Sequence, residues 1–354
     1  MIVHIFTANR YHLVPQIIKG FLKNFPKGGH HYLLIGDKTS NFNIYQKIFN
    51  EYDYDEYTYL KSFGQLIREF NRFKDHKIIL HAGPYYWMLY LILRSKDVNW
   101  VCWGSGAKIN LNFKSWFFTP LKIFLYRKFH SVGALMIQDT DTLKYDFGLD
   151  VVHTLSYFDI SDVFPYSEKK LTLDLSISNT IYVGNNSSCL DSYFIIIKKL
   201  ARFNESLNVL CMANYSFKET EKSNNLKKLG HEIFGNNFTL DTTFYTLEDY
   251  YDYMNKCDIY ICGVEKQTGL GAIYTALRLG KKVFLSGKNF EWIKTLGCHI
   301  YHVNDIEKMN IANFKSHLTI EQKLENYKLI TQFLSPEIIK NKWIAFFETP
   351  NQNI

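Results

Sequence analysis

The apolar residues of this chain fall into short runs separated by segments with helical spacing. The run at 2–7 has a strand pattern, and the segment 15–25 begins with a proline, which favours the first turn of a helix. The same alternation predicts strands at 31–36, 57–60, 77–82 and 100–103 and helices at 62–73 and 85–93. Strands that alternate with helices predict a parallel sheet with helices on its faces.

A second alternating set follows a segment typical of a linker, residues 156–179, which contains Pro165 and a charged run. Beyond it, strands are predicted at 180–184, 207–212, 259–262, 282–285 and 299–303. Helices are predicted at about 191–203, around 218–229, from the glycine turn to Leu279, and over 319–347. We therefore expect two Rossmann-like, doubly wound α/β domains, 1–165 and 166–320. The C-terminal helices of 321–354 could pack back on the N-terminal domain.

The stretch Asp258 to Gly287 holds a glycine-punctuated turn between a strand and a helix. Gly269 and Gly271 lie where the polar loop becomes helix, so backbone N–H groups and the helix N-terminus can attract an anion there. Lys266 adds a positive charge to the same loop. A short G-x-G pattern is weak, and a turn that only packs the helix on the strand stays open as the alternative.

Length and composition limit the class of protein. A chain of 354 residues can form two domains, and 47% hydrophobic with 21% charged residues indicates a globular protein. No apolar run approaches the roughly 18 residues needed to span a bilayer, and the N-terminus is not a signal sequence, so we expect a cytoplasmic protein. Six cysteines form no C-x-x-C pair and are interpreted as reduced core residues. The net charge of +7 favours anionic partners without choosing among them.

Polar residues follow two other predicted strands of the second half. Asn185, Asn186 and Ser187 come after 180–184 and could cradle a phosphate or cap the next helix. Asn214 and Tyr215 come after the next strand and could contact a base or a sugar, or form a turn without a ligand. Because strand ends of a doubly wound sheet bind ligands, these loops are candidate donor sites.

In the first half, His81 ends an apolar strand, where it is either a core histidine or a base. Another strand ends in a loop that permits close backbone approach to a ligand, or that simply closes over the core; its candidate residues are Trp103, Gly104, Ser105 and Lys108.

The segment 113–130 mixes seven aromatic residues, among them Trp116, Phe124 and Tyr126, with four lysines and arginines. This mixture suits the headgroup region of an anionic membrane, with a buried helix as the alternative. It could also stack on single-stranded nucleic acid, but no nucleic-acid motif is present, so no such partner is expected.

Asp139-Thr140-Asp141 has the spacing of a metal site, yet we interpret it as a helix cap after a strand at 134–137. No metal and no cofactor are expected.

Seven stretches, in one order, carry a resemblance: LHAGPYYWMLYL at 80–91, NWVCWGSG at 99–106, IYVGNNSS at 181–188, MANYS at 212–216, CDIYICGVEKQTGLGAI at 257–273, FLSGKNFEWI at 284–293 and FLSPEIIKNKW at 333–343. They resemble the bacterial 4-acetamido-4,6-dideoxygalactose (4-N-acetylfucosamine) transferases, or 4-alpha-L-fucosyltransferases, of enterobacterial common antigen assembly. The chain departs from that family at Lys266 (arginine there), at Thr268 (glutamine) and at Gly106 (an acid).

The resemblance implies a GT-B fold, with two Rossmann-like domains facing across a cleft. It implies a metal-independent hexosyltransferase that moves a hexose, expected to be a deoxyamino sugar on a dTDP-linked donor, to a polyprenyl-diphosphate-linked glycan. The reaction would serve surface polysaccharide synthesis at the inner face of the cell membrane. The alternatives are a nucleotide-sugar epimerase of similar two-domain fold and a non-catalytic nucleotide-sugar or membrane-binding protein.

The resemblance also implies roles for single residues. The donor would be held by Asn185, Asn186, Ser187, Asn214, Tyr215, Lys266, Gln267, Gly269, Leu270, Gly271, Asn289 and Trp292, with core packing as the alternative for Trp292. Glu265 would bind the donor sugar. Since Gly106 replaces the family's acid, His81 is the candidate base for an inverting reaction.

Overall fold

The computed structural model of the protein describes residues 1–9, 13–36, 39–104, 107, 113–158, 166–171, 179–184, 189–214, 219–243 and 245–350. The chain divides into two compact units. One comprises residues 1–160 together with 334–354, and the other comprises residues 161–333. Each unit is described by itself below.

The N-terminal unit is built on a parallel sheet, and its described strands are β1 (Ile2–Thr7), β2 (His30–Ile35), β3 (Tyr57–Leu60), β4 (Lys77–His81), β5 (Val98–Cys102), β6 (Val132–Ala134) and β7 (Val152–Thr154). They lie in the order β3-β2-β1-β4-β5-β6-β7. The helices of this part of the chain are α1 (Val14–Asn24), α2 (Thr39–Glu51), α3 (Phe63–Glu69), α4 (Tyr85–Arg94), α5 (Phe113–Tyr126) and α6 (Ile137–Asp141).

The C-terminal unit contains a second parallel sheet, whose described strands are β8 (Thr180–Val183), β9 (Asn208–Met212), β10 (Phe238–Asp241), β11 (Ile259–Cys262), β12 (Lys282–Leu285) and β13 (Tyr301–His302). Their order is β10-β9-β8-β11-β12-β13. Its helices are α7 (Glu168–Leu171), α8 (Leu190–Leu200), α9 (Glu221–Phe234), α10 (Leu247–Asn255), α11 (Leu270–Arg278), α12 (Gly287–Thr295), α13 (Ile311–Lys315) and α14 (Ile320–Phe333). The following helix, α15 (Pro336–Phe347), belongs to the N-terminal unit.

The two sheets share one topology around their centre. In each, the first strand of the unit lies beside the fourth, so β1 pairs with β4 and β8 pairs with β11. The strand order therefore reverses at this point, and the loops at the carboxyl ends of these strands flank a crevice that is the usual ligand site of doubly wound sheets.

The two faces of the N-terminal sheet differ in chemistry. One face carries mainly apolar side chains of the central strands, such as Val3, Leu33 and Ile78, which pack against α3, α4 and α5. On the other face, His4 lies in register with Tyr32 of β2 and Ile79 of β4. Aromatic side chains of α1 and α15 cover this second face, including Phe21, Trp343 and Phe347.

The hydrophobic pattern predicted several elements to the residue, because short buried strands are continuous apolar runs. The predicted bounds are confirmed for four strands: β1, β3, β11 and β12. The strand expected at 134–137 was wrong: β6 ends at Ala134 and the chain enters α6 at Ile137. Met136 is the N-cap of α6, so Asp139 lies inside its first turn and does not cap it as predicted.

All six cysteines lie in the described part of the chain, buried and in no disulfide, as expected of core residues. Among the described residues, no helix combines the length and the apolar character needed to cross a bilayer.

Candidate functional site

The loop after β11 presents a helix N-terminus at the carboxyl edge of the C-terminal sheet. Gly269 is the N-cap of α11 and has left-handed backbone angles, φ 65° and ψ 27°, which glycine adopts without strain. No side chain in the described part of the chain caps this helix. The first N–H groups of α11 are thus available to an anion, and Glu265 and Lys266 are exposed in the loop that precedes it.

The side chain of Asn289 holds the loop after β11 in place through hydrogen bonds to Thr268. This side chain is fully buried. The Nδ2 of Asn289 donates to the carbonyl of Thr268 at 2.8 Å, and the Thr268 N–H donates to its Oδ1 at 3.4 Å. A side-chain amide that pairs with both polar groups of one peptide residue fixes the loop as a neighbouring strand would. The structure places Asn289 under the loop, and its contact with a nucleotide stays a prediction.

The loops after β11 and β12 are fastened together at Gly287. The Lys288 N–H donates to the carbonyl of Glu265 at 3.1 Å. Gly287 has a φ of +54°, and a Cβ added there would overlap the Cα and the carbonyl oxygen of Glu265. Only glycine allows the two backbones to approach this closely, so Gly287 fixes the position of Glu265.

Two buried amide oxygens near this edge lack a hydrogen-bond partner among the described residues: Oε1 of Gln267 and Oδ1 of Asn214. Gln267 follows β11 and Asn214 follows β9, with β8 between those two strands. A buried acceptor without a donor costs about 1–3 kcal/mol. Hydroxyl or N–H groups of a bound ligand would satisfy both oxygens.

The turn after β8 is shaped by Gly184. Its φ is +71°, and a Cβ there would overlap the ring of Tyr193 from α8. The Tyr193 hydroxyl in turn donates to the carbonyl of Met212, the last residue of β9, at 2.9 Å. This contact ties the starts of two strand-end loops together. The candidate donor residues Asn185, Asn186, Ser187 and Tyr215 lie outside the described residues.

Trp292 lies in the core, in surroundings that match the packing alternative. It is 5% exposed, its Nε1 donates to the hydroxyl of Tyr274 at 2.9 Å, and its ring meets Phe333 edge-on at 5.5 Å. These contacts join α12 to α11 and α14. A role for Trp292 in a nucleotide pocket stays a prediction.

In the N-terminal unit, His81 is 1% exposed. Its Nδ1 lies 2.8 Å from the hydroxyl of Tyr157 and its Nε2 lies 2.9 Å from Nδ1 of His4. Burial lowers the pKa of His81 well below the usual value for histidine. These surroundings match the core-histidine alternative, and action of His81 as a base stays a prediction.

The loop after β5 shares a partner with His81. Trp103 donates from Nε1 to the Tyr157 hydroxyl at 2.7 Å, and Gly104 has a φ of +46°. Ser105 and Lys108 lie outside the described residues. Sequence reasoning missed Tyr157, which it assigned to the linker, and His4. A lone histidine in the apolar run of β1 was the one signal that could have pointed to His4.

No group of three or more histidine, cysteine or acidic side chains among the described residues is arranged to hold a metal ion. The described groups at the C-terminal edge are backbone N–H groups, the amides and the exposed side chains of Glu265 and Lys266.

No family model and no curated protein matches the sequence. Many solved structures, in contrast, have a similar fold. A glycosyltransferase from Rickettsia africae superposes with a TM-score of 0.70 at 12% identity, covering 100% of this chain and 99% of that one. HepE of Anabaena, solved with UDP and glucose, gives 0.72 at 12% identity with 99% of both chains covered. The chain thus has the GT-B fold.

A protein of Listeria monocytogenes proposed to be a UDP-N-acetylglucosamine 2-epimerase superposes with a TM-score of 0.56 at 12% identity, covering 100% of this chain and 99% of that one. At this level of identity the likenesses establish the fold alone. Transferases and an epimerase candidate share that fold, so the residues of the site must decide the activity.

Proposed function

We propose that this protein is a glycosyltransferase that moves a hexose from a nucleotide diphosphate-sugar to a hydroxyl of an acceptor. The observation that carries the proposal is the carboxyl edge of the C-terminal sheet. There, the N-terminus of α11, which no described side chain caps, follows a loop with an exposed lysine. The buried oxygens of Gln267 and Asn214 lie at the same edge and require donors. A ligand that joins an anion to a group rich in hydroxyls would bind both: the anion at the helix N-terminus and Lys266, and the hydroxyls at the two amide oxygens.

The reaction transfers the sugar when the acceptor oxygen bonds to its anomeric carbon and the bond to the diphosphate breaks. Negative charge then grows on the leaving diphosphate. Backbone N–H groups at Leu270 and Gly271, together with Lys266, would stabilise that charge without a metal. Glu265 would accept hydrogen bonds from sugar hydroxyls, and its position relative to the helix is fixed by Gly287.

The finer identity of the substrates rests on the resemblance in sequence. It favours a deoxyamino hexose on a dTDP-linked donor and a polyprenyl-diphosphate-linked glycan as acceptor, in surface polysaccharide synthesis. A lipid-linked acceptor requires the enzyme to work at a membrane, here at its inner face.

Exposed apolar residues of the N-terminal unit support contact with a membrane. α4 exposes Leu93 (73%) and α5 exposes Phe124 (56%), and both helices pack on the same face of the sheet. The exposed apolar face of α4 and α5 comprises Tyr85, Tyr86, Leu89, Leu93, Leu121 and Phe124. Lys128, whose Nζ lies 5.4 Å from the Phe124 ring, supplies positive charge beside it. Lys122 is partly withdrawn from this role, because it lies over the rings of Tyr126 and Phe147.

Mass spectrometry of the purified protein with a panel of nucleotide-sugars, with and without a lipid-linked acceptor, tests the proposal. A transferase consumes its donor with the acceptor present and forms a glycan one sugar longer. An epimerase would change the donor without any acceptor, and a binding protein would retain the donor unchanged. Either of these two outcomes contradicts the proposal.

Lys266→Met tests the anion site. We expect donor affinity to fall about tenfold, because one charge at a diphosphate contributes about 1–3 kcal/mol. Lys294→Met is the matched control: Lys294 is also exposed, but it lies in the last turn of α12, towards the opposite edge of the sheet. Equal affinities of both variants and the wild type would mean that the loop only packs α11 on the sheet.

Cosedimentation with anionic and zwitterionic vesicles tests the membrane face. Leu93→Glu should weaken binding to anionic vesicles, since it places a negative charge in the apolar face. Ile195→Glu is the control, because Ile195 is an exposed apolar residue (56%) of α8 in the other unit. If both variants bind as the wild type does, the face does not contact the membrane.

A further inference from the structure

Three buried histidines form a continuous hydrogen-bonded row across the centre of the N-terminal sheet. Nε2 of His4 lies 2.8 Å from Nδ1 of His30, and Nδ1 of His4 lies 2.9 Å from Nε2 of His81. The residues come from β2, β1 and β4, which are adjacent strands. All three are at most 5% exposed, so the row crosses the sheet under the aromatic cover of α1 and α15.

The row continues to the carboxyl edge of the sheet. Beyond His81, its Nδ1 meets the hydroxyl of Tyr157, which also accepts a hydrogen bond from Nε1 of Trp103. Tyr157 is only half-buried, unlike the histidines. The backbone that follows His81 is unusual, because Ala82 and Gly83 both have a positive φ, of 58° and 103°. Tyr157 is therefore the member of the row that lies nearest to the strand-end loops.

The hydrogen bonds couple the tautomers of the three rings. A neutral imidazole carries one proton, so it donates through one nitrogen and accepts through the other. If Tyr157 donates to Nδ1 of His81, all three rings carry their proton on Nε2. If His81 donates to Tyr157 instead, all three carry it on Nδ1. Burial keeps the rings neutral by lowering the pKa of each histidine, that of His30 to about 4.

We propose that Tyr157, His81, His4 and His30 form a proton relay that removes the proton of the acceptor hydroxyl during sugar transfer. The inference rests on the proposed function and assigns the base of that reaction. Tyr157 is the residue that would touch the substrate, and the histidines are positioning residues that act through it. His81, which is buried, takes part without meeting the acceptor.

The relay conserves its protons. As the acceptor oxygen bonds to the sugar, its proton passes to the Tyr157 oxygen, whose own proton moves to Nδ1 of His81. The Nε2 proton of His81 moves to Nδ1 of His4, and the Nε2 proton of His4 moves to Nδ1 of His30. His30 releases its Nε2 proton to water. The charged groups that act on His30 are the chain's amino terminus and Glu56, which have opposite effects on its pKa.

The tautomers can be measured without any activity, by ¹⁵N chemical shifts of the histidine rings in the labelled full-length protein. We expect His4, His30 and His81 to share the Nε2–H tautomer, with couplings across both N–H···N bonds. A mixture of tautomers, or a charged His4 ring at neutral pH, would overturn the relay whether or not the protein transfers sugar.

The kinetic arm uses wild-type enzyme with its donor and lipid-linked acceptor. Tyr157→Phe should lower kcat at least about 100-fold, the usual contribution of a general base, with donor KM unchanged. Tyr54→Phe is the control, because the Tyr54 hydroxyl donates to the backbone carbonyl of His30 and not to its ring. A kcat of Tyr157→Phe equal to that of the control contradicts the proposal.

Variants that interrupt the row of histidines distinguish a proton relay from a row that only holds Tyr157 in position. In mixtures of H₂O and D₂O, the wild-type rate should vary with a curved proton inventory, since several protons move together. His4→Gln should make that plot linear, and His30→Gln, at the end of the row away from Tyr157, serves if His4→Gln does not fold. Plots of the same shape for wild type and both variants would overturn the relay. A wild type that transfers no sugar refutes the proposed function instead, and the tautomers still decide whether the row is coupled.

Discussion

The two sheets place different chemistry at the same topological position. In the C-terminal unit, the crevice beside β11 is bordered by a glycine turn, by exposed charges and by two buried amide oxygens that have no partner in the described part of the chain. In the N-terminal unit, the end of β4 is filled by His81, which stacks on Phe6 with ring centroids 3.9 Å apart. One switch point leaves backbone donors for a ligand, and the other is packed with rings.

The difference shows that a shared topology fixes where a site lies and leaves its chemistry to the side chains. Under the proposed function, the C-terminal switch point would bind an anion through backbone donors and Lys266. Among the described residues, the N-terminal switch point offers a phenol and imidazoles near its edge, groups that exchange protons. The following predictions test this contrast, beginning with the largest expected effect.

Gly287→Ala should disrupt the C-terminal switch point most. The new Cβ would overlap the backbone of Glu265, which cannot move aside as a side chain can, so we expect a loss of about 3 kcal/mol in unfolding free energy. Urea unfolding and donor affinity measure the effect. Gly297→Ala, after the other end of α12, also places alanine at a positive φ but meets only an ordinary contact with Leu329. It should cost about 1 kcal/mol; equal losses would show that backbone strain alone matters.

The N-terminal switch point should lose more folding stability at acidic pH than the C-terminal one. The histidines with pKa values lowered by burial among the described residues, His4, His30, His31, His81 and His153, all lie in this unit. Between pH 6.5 and about 4 the unfolded chain binds a proton at His30 that the folded chain does not. Stability is therefore greatest above pH 6.5 and falls as the pH drops, by roughly 3 kcal/mol from His30 alone.

Amide hydrogen exchange of β1 and β4, compared with β8 and β11, measures this acid lability at pH 7 and pH 5. His30→Gln should reduce the dependence on pH. If the protection factors of both sheets fall equally on acidification, the buried histidines do not set the difference between the units.

Asn289→Ala should separate support of the loop from general stability. The substitution leaves the N–H and carbonyl of Thr268 without their partner, which costs about 2 kcal/mol, and it should weaken donor binding because the loop loses its support. Asn326→Ala is closely matched, since Asn326 is also fully buried and pairs with both backbone groups of His299. It should cost similar stability and leave donor affinity unchanged. Weakened donor binding in both variants would assign the effect to instability.

Trp292→Phe should have the smallest effect. It removes one hydrogen bond, to Tyr274, and keeps an aromatic ring in the core, so we expect a loss of about 1 kcal/mol in thermal or urea unfolding. Donor affinity should not change if Trp292 only packs α12 on its neighbours. A tenfold weaker affinity would place Trp292 in the nucleotide pocket.

The sequence predicted those parts of the molecule that depend on local pattern. β11 and β12 followed from their apolar runs, and the turn before α11 followed from Gly269, since a positive φ is a property of one residue. β10 was missed because FTLD at the edge of the sheet is half polar and short. α12 was missed because it begins at a glycine and its first turn, GKNF, has no acidic residue, although Ser286 is its N-cap.

The parts that could not be predicted depend on contacts between distant segments. Asn289 supports Thr268 from 21 residues away, which no local pattern indicates. The row from His30 to Tyr157 joins residues of three strands with a residue that follows a fourth. A histidine in a buried strand is ambiguous until its partners are known, because only the partners decide whether the ring fills space or passes a proton.

The return of α15 to the N-terminal unit sets an order on biosynthesis. Trp343 covers His81 at a ring separation of 5.8 Å and donates from Nε1 to the carbonyl of Ser156 at 2.8 Å. The ribosome makes these residues after every strand of the C-terminal sheet, so that sheet can complete its core while the earlier one still lacks part of its cover. Domains of nascent chains usually fold from the N-terminus onwards. In this protein the N-terminal unit emerges first from the ribosome, but its core can be completed only after α15 has been made.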